Sequence, residues 1–257
     1  LHLTATYLKK EFAHSMTTPC AECPLRCKPL FEPFTDQELS FMERFKIGEL
    51  TIEAGRTILM QGAQSPQFYT VLRGQGLRHK TLEDGRRQVI SFVLPGDLVG
   101  LQAVVTGEMQ HSVEASVETT LCVFDRAGLW DLFSNQPKRS YSLTWLSAVE
   151  ENFLGETLAT LGQRDASQRI AWALVRLHER LTALGMASGG RVPLPWRQQD
   201  LADAVGLSLV HTNKTLARLR DSGLAEWSGG QLALPGRKEL ADMAFIDLEY
   251  PTQRPLL

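Results

Sequence analysis

The chain contains no run of about 18 consecutive apolar residues, so a membrane-spanning helix is excluded by the sequence. Its first residues lack the basic-then-apolar order of a signal peptide, and a cytoplasmic location is expected. No Ser/His/Asp set and no pair of carboxylates stands at a spacing that suggests catalysis, so an enzyme is not expected. Residue 1 is Leu, and Met16 is a candidate start. Cysteine is scarce: 4 in 257 residues. Cys20, Cys23 and Cys27 crowd into eight residues while Cys122 stands far away. In a reducing compartment that clustering favours metal or redox chemistry over structural disulfides.

Net charge is small, −2, but unevenly placed. Residues 1–135 carry 13 Lys/Arg against 16 Asp/Glu, whereas residues 164–240 carry 11 against 7. A basic back half points to a polyanionic partner. With 43% hydrophobic residues the chain can bury two modest cores.

Glycines recur at Gly62, Gly74, Gly85, Gly96 and Gly107, with β-prone stretches between them such as 68–72 and 88–93. Such punctuation predicts an antiparallel sandwich or barrel, with a tight hairpin at Asp84-Gly85 and one last strand over 112–124. After Asp125 the pattern turns helical. A long helix is expected from about Pro137 to Leu161, its stripe of Leu143, Leu146, Val149, Phe153 and Leu161 matched by the same helix of a second subunit or, as the alternative, packed back on its own barrel. Glu150, Glu151 and Glu156 beside that stripe would then face their own copies. A second helix is expected after Asp165, which N-caps it with Gln168 at the third helical position.

The segment 198–219 has the spacing of a helix-turn-helix. Ala202 is small where two helices cross, Gly206 suits a left-handed turn, and Ser208 can cap the second helix. Residues 224–234 read as two short strands around Gly229-Gly230, the wing of a winged helix. The first turns of a recognition helix reach base edges in the major groove of duplex DNA, which assigns Val210, Asn213 and Lys214 to base contacts. His211, Arg218 and Arg220 are assigned to phosphates, and Thr212 and Thr215 to packing.

The stretch Leu94-Pro-Gly-Asp-Leu-Val-Gly100, the strand ending at Cys122, the long helix and the winged helix together resemble the CRP/FNR superfamily of bacterial transcription regulators. The resemblance covers nearly the whole chain. It implies an α+β fold: a jelly-roll β-barrel like those that bind cyclic nucleotides, a long dimerisation helix and a C-terminal winged helix-turn-helix. The implied division is a cysteine-containing segment over 1–34, a sensor barrel over 35–134, the dimerisation helix over 135–163, the DNA-binding domain over 164–240 and a tail over 241–257. Implied partners are a palindromic DNA site, a second copy of the chain and RNA polymerase.

Members that bind cyclic AMP use a Gly-Glu-Leu motif and an Arg-Ser pair. Here those positions read Gly100-Leu101-Gln102 and His111-Ser112, so cyclic AMP is not expected. FNR-type members hold a [4Fe-4S] cluster with four cysteines, which would be Cys20, Cys23, Cys27 and Cys122 here. The third cysteine stands closer to the second than the family's spacing has it. Three readings remain open: an oxygen-labile cluster, a zinc or thiol–disulfide site, or inert thiols beside a small-molecule effector in the barrel.

Overall fold

The computed structural model describes residues 17–248 and 252–257. The candidate start Met16 and the rest of residues 1–16 of the 1–34 segment lie outside the described residues. The described residues divide into two compact units, one of residues 17–76, 93–146 and 255–257, the other of residues 77–92, 147–248 and 252–254.

The first unit is built on strand alternation. Helix α1 (Asp36–Phe45) begins in a capping box, with Thr35 Oγ1 accepting from Glu38 N and Glu38 Oε2 accepting from Thr35 N. A four-stranded antiparallel sheet runs in the order β1 (Lys46–Ile52), β8 (Thr119–Asp125), β3 (Gln67–Arg73), β6 (Leu98–Val99). Successive side chains of a strand point to opposite faces. Leu121 and Val123 of β8 join Tyr69 and Val71 of β3 in one core, with Leu59, Val99 and Val113. Phe124 joins Phe68 in a second core under Phe41, Met42 and Phe45 of α1 and Leu132 of α3 (Leu129–Asn135), and Cys122 packs against that same face.

The expected strand over 112–124 is two strands. β7 (Ser112–Ala115) pairs with β2 (Thr57–Leu59), and β8 belongs to the four-stranded sheet. The chain turns a corner between them, where the amides of Ser116 and Val117 both donate to the Gln75 carbonyl. A continuous β-prone run does not reveal such a change of sheet. Short α2 (Leu101–Thr106) follows Gly100, whose φ of +89° needs a residue without a Cβ.

The second unit contains the hairpin of β4 (Gly76–Thr81) and β5 (Arg87–Val93), which turns at Gly85 with φ +82° as the Asp-Gly pair predicted. Its other elements are α5 (Ala166–Ala183), β9 (Arg191–Pro193), α6 (Gln198–Val205), α7 (Leu209–Asp221), β10 (Glu226–Ser228), β11 (Gln231–Ala233) and α8 (Arg237–Ala244). Asp165 accepts from Ser167 N and Gln168 N while Gln168 reaches back to Asp165 N, the expected capping box. Ile170, Leu174 and Leu181 of α5 are wholly buried, as are Ala202, Leu232, Leu240 and Ala244. The long helix α4 (Pro137–Gln163) runs two residues beyond its expected end.

Among the described residues, no helix is long and apolar enough to cross a membrane.

Candidate nucleic-acid interface and thiol site

Helix α6 ends at Gly206 in the left-handed region, φ +64°. The backbone bond from Leu207 N to Ala202 O closes the turn. Ser208 Oγ then accepts from His211 N at 3.2 Å and caps α7. Thr212, Thr215 and Leu219 are buried, so the α7 face bearing Val210, His211, Asn213, Lys214 and Arg218 is the exposed one. Val210 is 79% exposed, an apolar side chain presented to solvent beside an amide and an ammonium. Arg218 Nη2 donates to Thr215 Oγ1 at 3.1 Å, and Arg220 pairs with Asp221 at 3.0 Å, which leaves each guanidinium further N–H groups to offer a phosphate. The wing strands β10 and β11 pair antiparallel around Gly229-Gly230, both at positive φ, and β9 adds a third strand that local pattern missed.

Sequence reasoning also missed what steadies α6. Arg87 of β5 donates through Nε to Asp203 at 2.9 Å and through Nη2 to Asp200. Asp200 is buried and also takes the Arg197 guanidinium. Burial pushes its carboxyl up, but the Arg197 bonds and then Arg87 outweigh burial and hold it below the usual range. Pairing of residues more than a hundred positions apart leaves no local signal.

The cysteine segment is anchored to the first unit. Cys20 opens a 3-10 turn, Ala21 N donates to Glu43 of α1, and Thr18 N donates to Glu49 of β1. Arg26 Nη1 donates to the carbonyls of Cys20 and Ala21. Lys46 sits between Thr18 O (2.6 Å) and Glu49 Oε1 (2.7 Å), and its charge acts on both Cys20 and Cys122. Burial pushes the Cys20 thiol up to about 11 and the Cys122 thiol to about 12. Cys20 and Cys23 both act electrostatically on Cys122, so these three thiols share a neighbourhood. Cys27 is exposed, its sulfur 4.0 Å from Cys23 O. Among the described residues, no group of three or more His, Cys, Asp or Glu side chains is gathered closely enough to hold a metal ion. The donors are thiols whose deprotonated forms are soft ligands suited to iron–sulfur or zinc, and a four-cysteine set would require Cys20, Cys23 and Cys122 to draw closer together and the exposed Cys27 to turn inward.

Of the positions that a cyclic nucleotide would use, Leu101 packs against the core that holds Phe68 and Phe124, and His111 lies in the bend before β7. Ser112 Oγ accepts from Gln61 N at 3.0 Å.

A capped helix-turn-helix with a three-stranded wing, in one chain with an antiparallel barrel-type unit, defines a DNA-binding transcription regulator and not an enzyme. The family model for the Cyclic nucleotide-binding domain matches residues 49–136, and that for the Crp-like helix-turn-helix domain matches residues 168–243. The chain is similar to the nitrogen fixation regulation protein FixK of Bradyrhizobium diazoefficiens, 30% identical over 86% of this chain and 92% of the relative. It is similar also to the transcriptional activator protein FnrL of Cereibacter sphaeroides, 27% identical over 89% and 90%. The solved structure of FixK2 from Bradyrhizobium japonicum superposes with a TM-score of 0.69 at 27% identity, covering 76% of this chain and 96% of that one. The chain belongs to the CRP/FNR family of transcription regulators.

Proposed function

We propose that this regulator senses oxygen or redox state through Cys20, Cys23, Cys27 and Cys122, and that the sensed state favours a homodimer which binds a palindromic DNA site. The observation that carries the sensing is the placement of Cys20 and Cys122 against one core, with Cys23 and the Lys46 ammonium close enough to act on them. Four thiolates are the donor set of a [4Fe-4S] cluster, and bound there the cluster would supply oxygen sensitivity. This chain's own residues hold the thiols: Arg26 fixes the Cys20 turn, Glu43 and Glu49 anchor its flanks, and Lys46 offsets negative charge as thiolates form.

The domain division follows from that reading: the cysteine segment 1–34, the sensor barrel 35–134, the dimerisation helix 135–163, the DNA-binding domain 164–240 and the tail 241–257. Dimerisation is assigned to α4 because Val149, Leu154 and Leu158 lie exposed along it, at 46%, 43% and 74%. Val210, Asn213 and Lys214 read bases, while His211 and Arg218 hold phosphates. RNA polymerase as a partner and the cytoplasm as the location rest on family resemblance.

Iron and acid-labile sulfide measured in anaerobically purified protein, with the visible absorption followed on exposure to air, test the proposal. About four irons and four sulfides per chain with bleaching in air is the expected result. A colourless protein that binds zinc or nothing, yet footprints the same DNA, refutes cluster sensing and leaves the regulator.

A further inference from the structure

The segment after α8 does not stay with the elements that precede it. Residues 255–257 belong to the first unit, and Leu256 and Leu257 are 3% and 5% exposed. Leu257 packs in the core formed by Phe41, Phe45, Phe68, Phe124, Leu132 and Leu143, the core against which Cys20 and Cys122 also lie. Two buried polar groups meet the backbone of this segment. Thr70 Oγ1 donates to the Leu257 carbonyl at 2.8 Å, and Arg139 Nη1 donates to the Leu256 carbonyl at 3.1 Å.

Arg139 is wholly buried, which is costly for a guanidinium without partners. Its charge stands 3.0 Å from Glu38 and over the Phe34 ring at 4.7 Å, and the Leu256 carbonyl gives it a hydrogen-bond acceptor. The built site therefore has an apolar floor and two buried donors aimed at successive carbonyls, as suits an extended apolar peptide.

Two paths join this site to the cysteines. Thr70 is the β3 partner of Cys122 across the sheet register. The Phe34 ring is shared by Arg139 and Arg26, whose guanidinium groups stand 4.7 and 5.3 Å from its centroid, and Arg26 grips the Cys20 turn.

We propose that the first unit carries a binding site for an apolar peptide, filled by the chain's own Pro255-Leu256-Leu257, and that filling it is linked to closure of the cysteine segment. Linkage is reciprocal: whatever orders the segment around Cys20 and Cys122 favours the docked peptide, and the docked peptide shields those thiols. A reagent or ligand at the cysteines thus acts on a stretch that lies beyond the DNA-binding domain in sequence. The linkage operates without a metal at the thiols.

The test uses the metal-free protein with all its domains and the rate at which iodoacetamide labels each cysteine. Release of the segment by the double change Leu256→Ser and Leu257→Ser should speed labelling of Cys20 and Cys122 by about tenfold, with Cys27, already exposed, as unchanged internal control. Thr70→Val keeps strand shape and volume, removes only the hydroxyl bond, and should give a smaller rise at Cys122 without loss of fold. An amide-blocked peptide of residues 252–257 should bind the double variant, measured by anisotropy of a fluorescent label, and restore protection at both thiols. Unchanged labelling in Thr70→Val and the double variant overturns the linkage. Faster labelling that the peptide neither binds to nor reverses overturns the site, because protection then came from general packing.

Discussion

Arg78 of β4 donates through Nη1 to Glu150 of α4, an ion pair in which the Arg78 side chain is 9% exposed and the Glu150 side chain 42%. The sequence pattern had set Glu150 beside the helix stripe as a charge facing its own copy in a dimer. In the folded chain that carboxylate already has a cation. Glu150→Ala should therefore destabilise the second unit by about 1–3 kcal/mol, since it strips a buried arginine of a charged hydrogen-bond acceptor. Denaturant midpoints of parent and variant check this. Glu151 and Glu156 are exposed, which leaves them as the acids for repulsion across a dimer seam. Sedimentation of Glu151→Ala and Glu156→Ala in air should show more dimer than the parent, and equal dimer fractions would remove the charge from the assembly mechanism.

Lys214 stands exposed on the second turn of α7 behind the Ser208 cap. Replacing it with Ala should weaken specific DNA binding by about 1–3 kcal/mol and relax the preference at one base pair per half-site. Binding to a panel of single-position operator variants measures both. Footprints of the parent should form an inverted repeat with centres about 34 Å apart.

Cys27 is the exposed member of the thiol set, whereas Cys20 and Cys122 are drawn toward the core. On the proposed cluster reading, Cys20→Ala, Cys23→Ala and Cys122→Ala should each abolish iron and sulfide retention, because each would leave a metal position without its thiolate. If Cys27 turns inward as a ligand, Cys27→Ala loses the iron too. Full iron content in Cys27→Ala would assign the fourth position to a group other than this cysteine. Because burial raises the Cys20 and Cys122 thiols to about 11 and about 12, metal uptake at neutral pH must release protons, and apparent affinity should rise with pH.

The Arg87 contact with Asp200 and Asp203 carries a pH signature. Asp200 is held below its ordinary value of 3.8, so its contribution to stability is present above that value and is lost as pH falls through the lower, folded one. Arg87→Gln should cost about 1–3 kcal/mol at pH 7, since Arg197 still pairs with Asp200, and the difference should shrink toward pH 3. Urea unfolding at the two pH values decides it, and an equal difference at both would separate the arginine's effect from carboxylate pairing.

Most of the DNA-binding half was legible in the sequence because its signals are local. Gly206 at positive φ, the Ser208 and Asp165 caps, and the Gly229-Gly230 turn each depend on residues within about four positions of one another, where backbone geometry and side-chain chemistry act directly. Strand alternation likewise predicted a barrel-type sheet and the Asp84-Gly85 hairpin. The same local logic failed at 112–124, where the corner between β7 and β8 is made by hydrogen bonds to Gln75, some forty residues earlier.

Composition, spacing and caps thus determined the element types, the family resemblance and the exposed face of α7. Only the tertiary structure decided which charges found partners and what covered the cysteines. Arg78 with Glu150, Arg87 with Asp200, and Arg139 with the Leu256 carbonyl join residues 72, 113 and 117 positions apart. A buried guanidinium must take whatever acceptor the packed chain brings to it, and no period along the sequence encodes that choice. Leu256 and Leu257, expected as part of a tail, are core residues for the same reason: apolar side chains go wherever a matching cavity, here with the side-chain donors Thr70 and Arg139 for their carbonyls, awaits them.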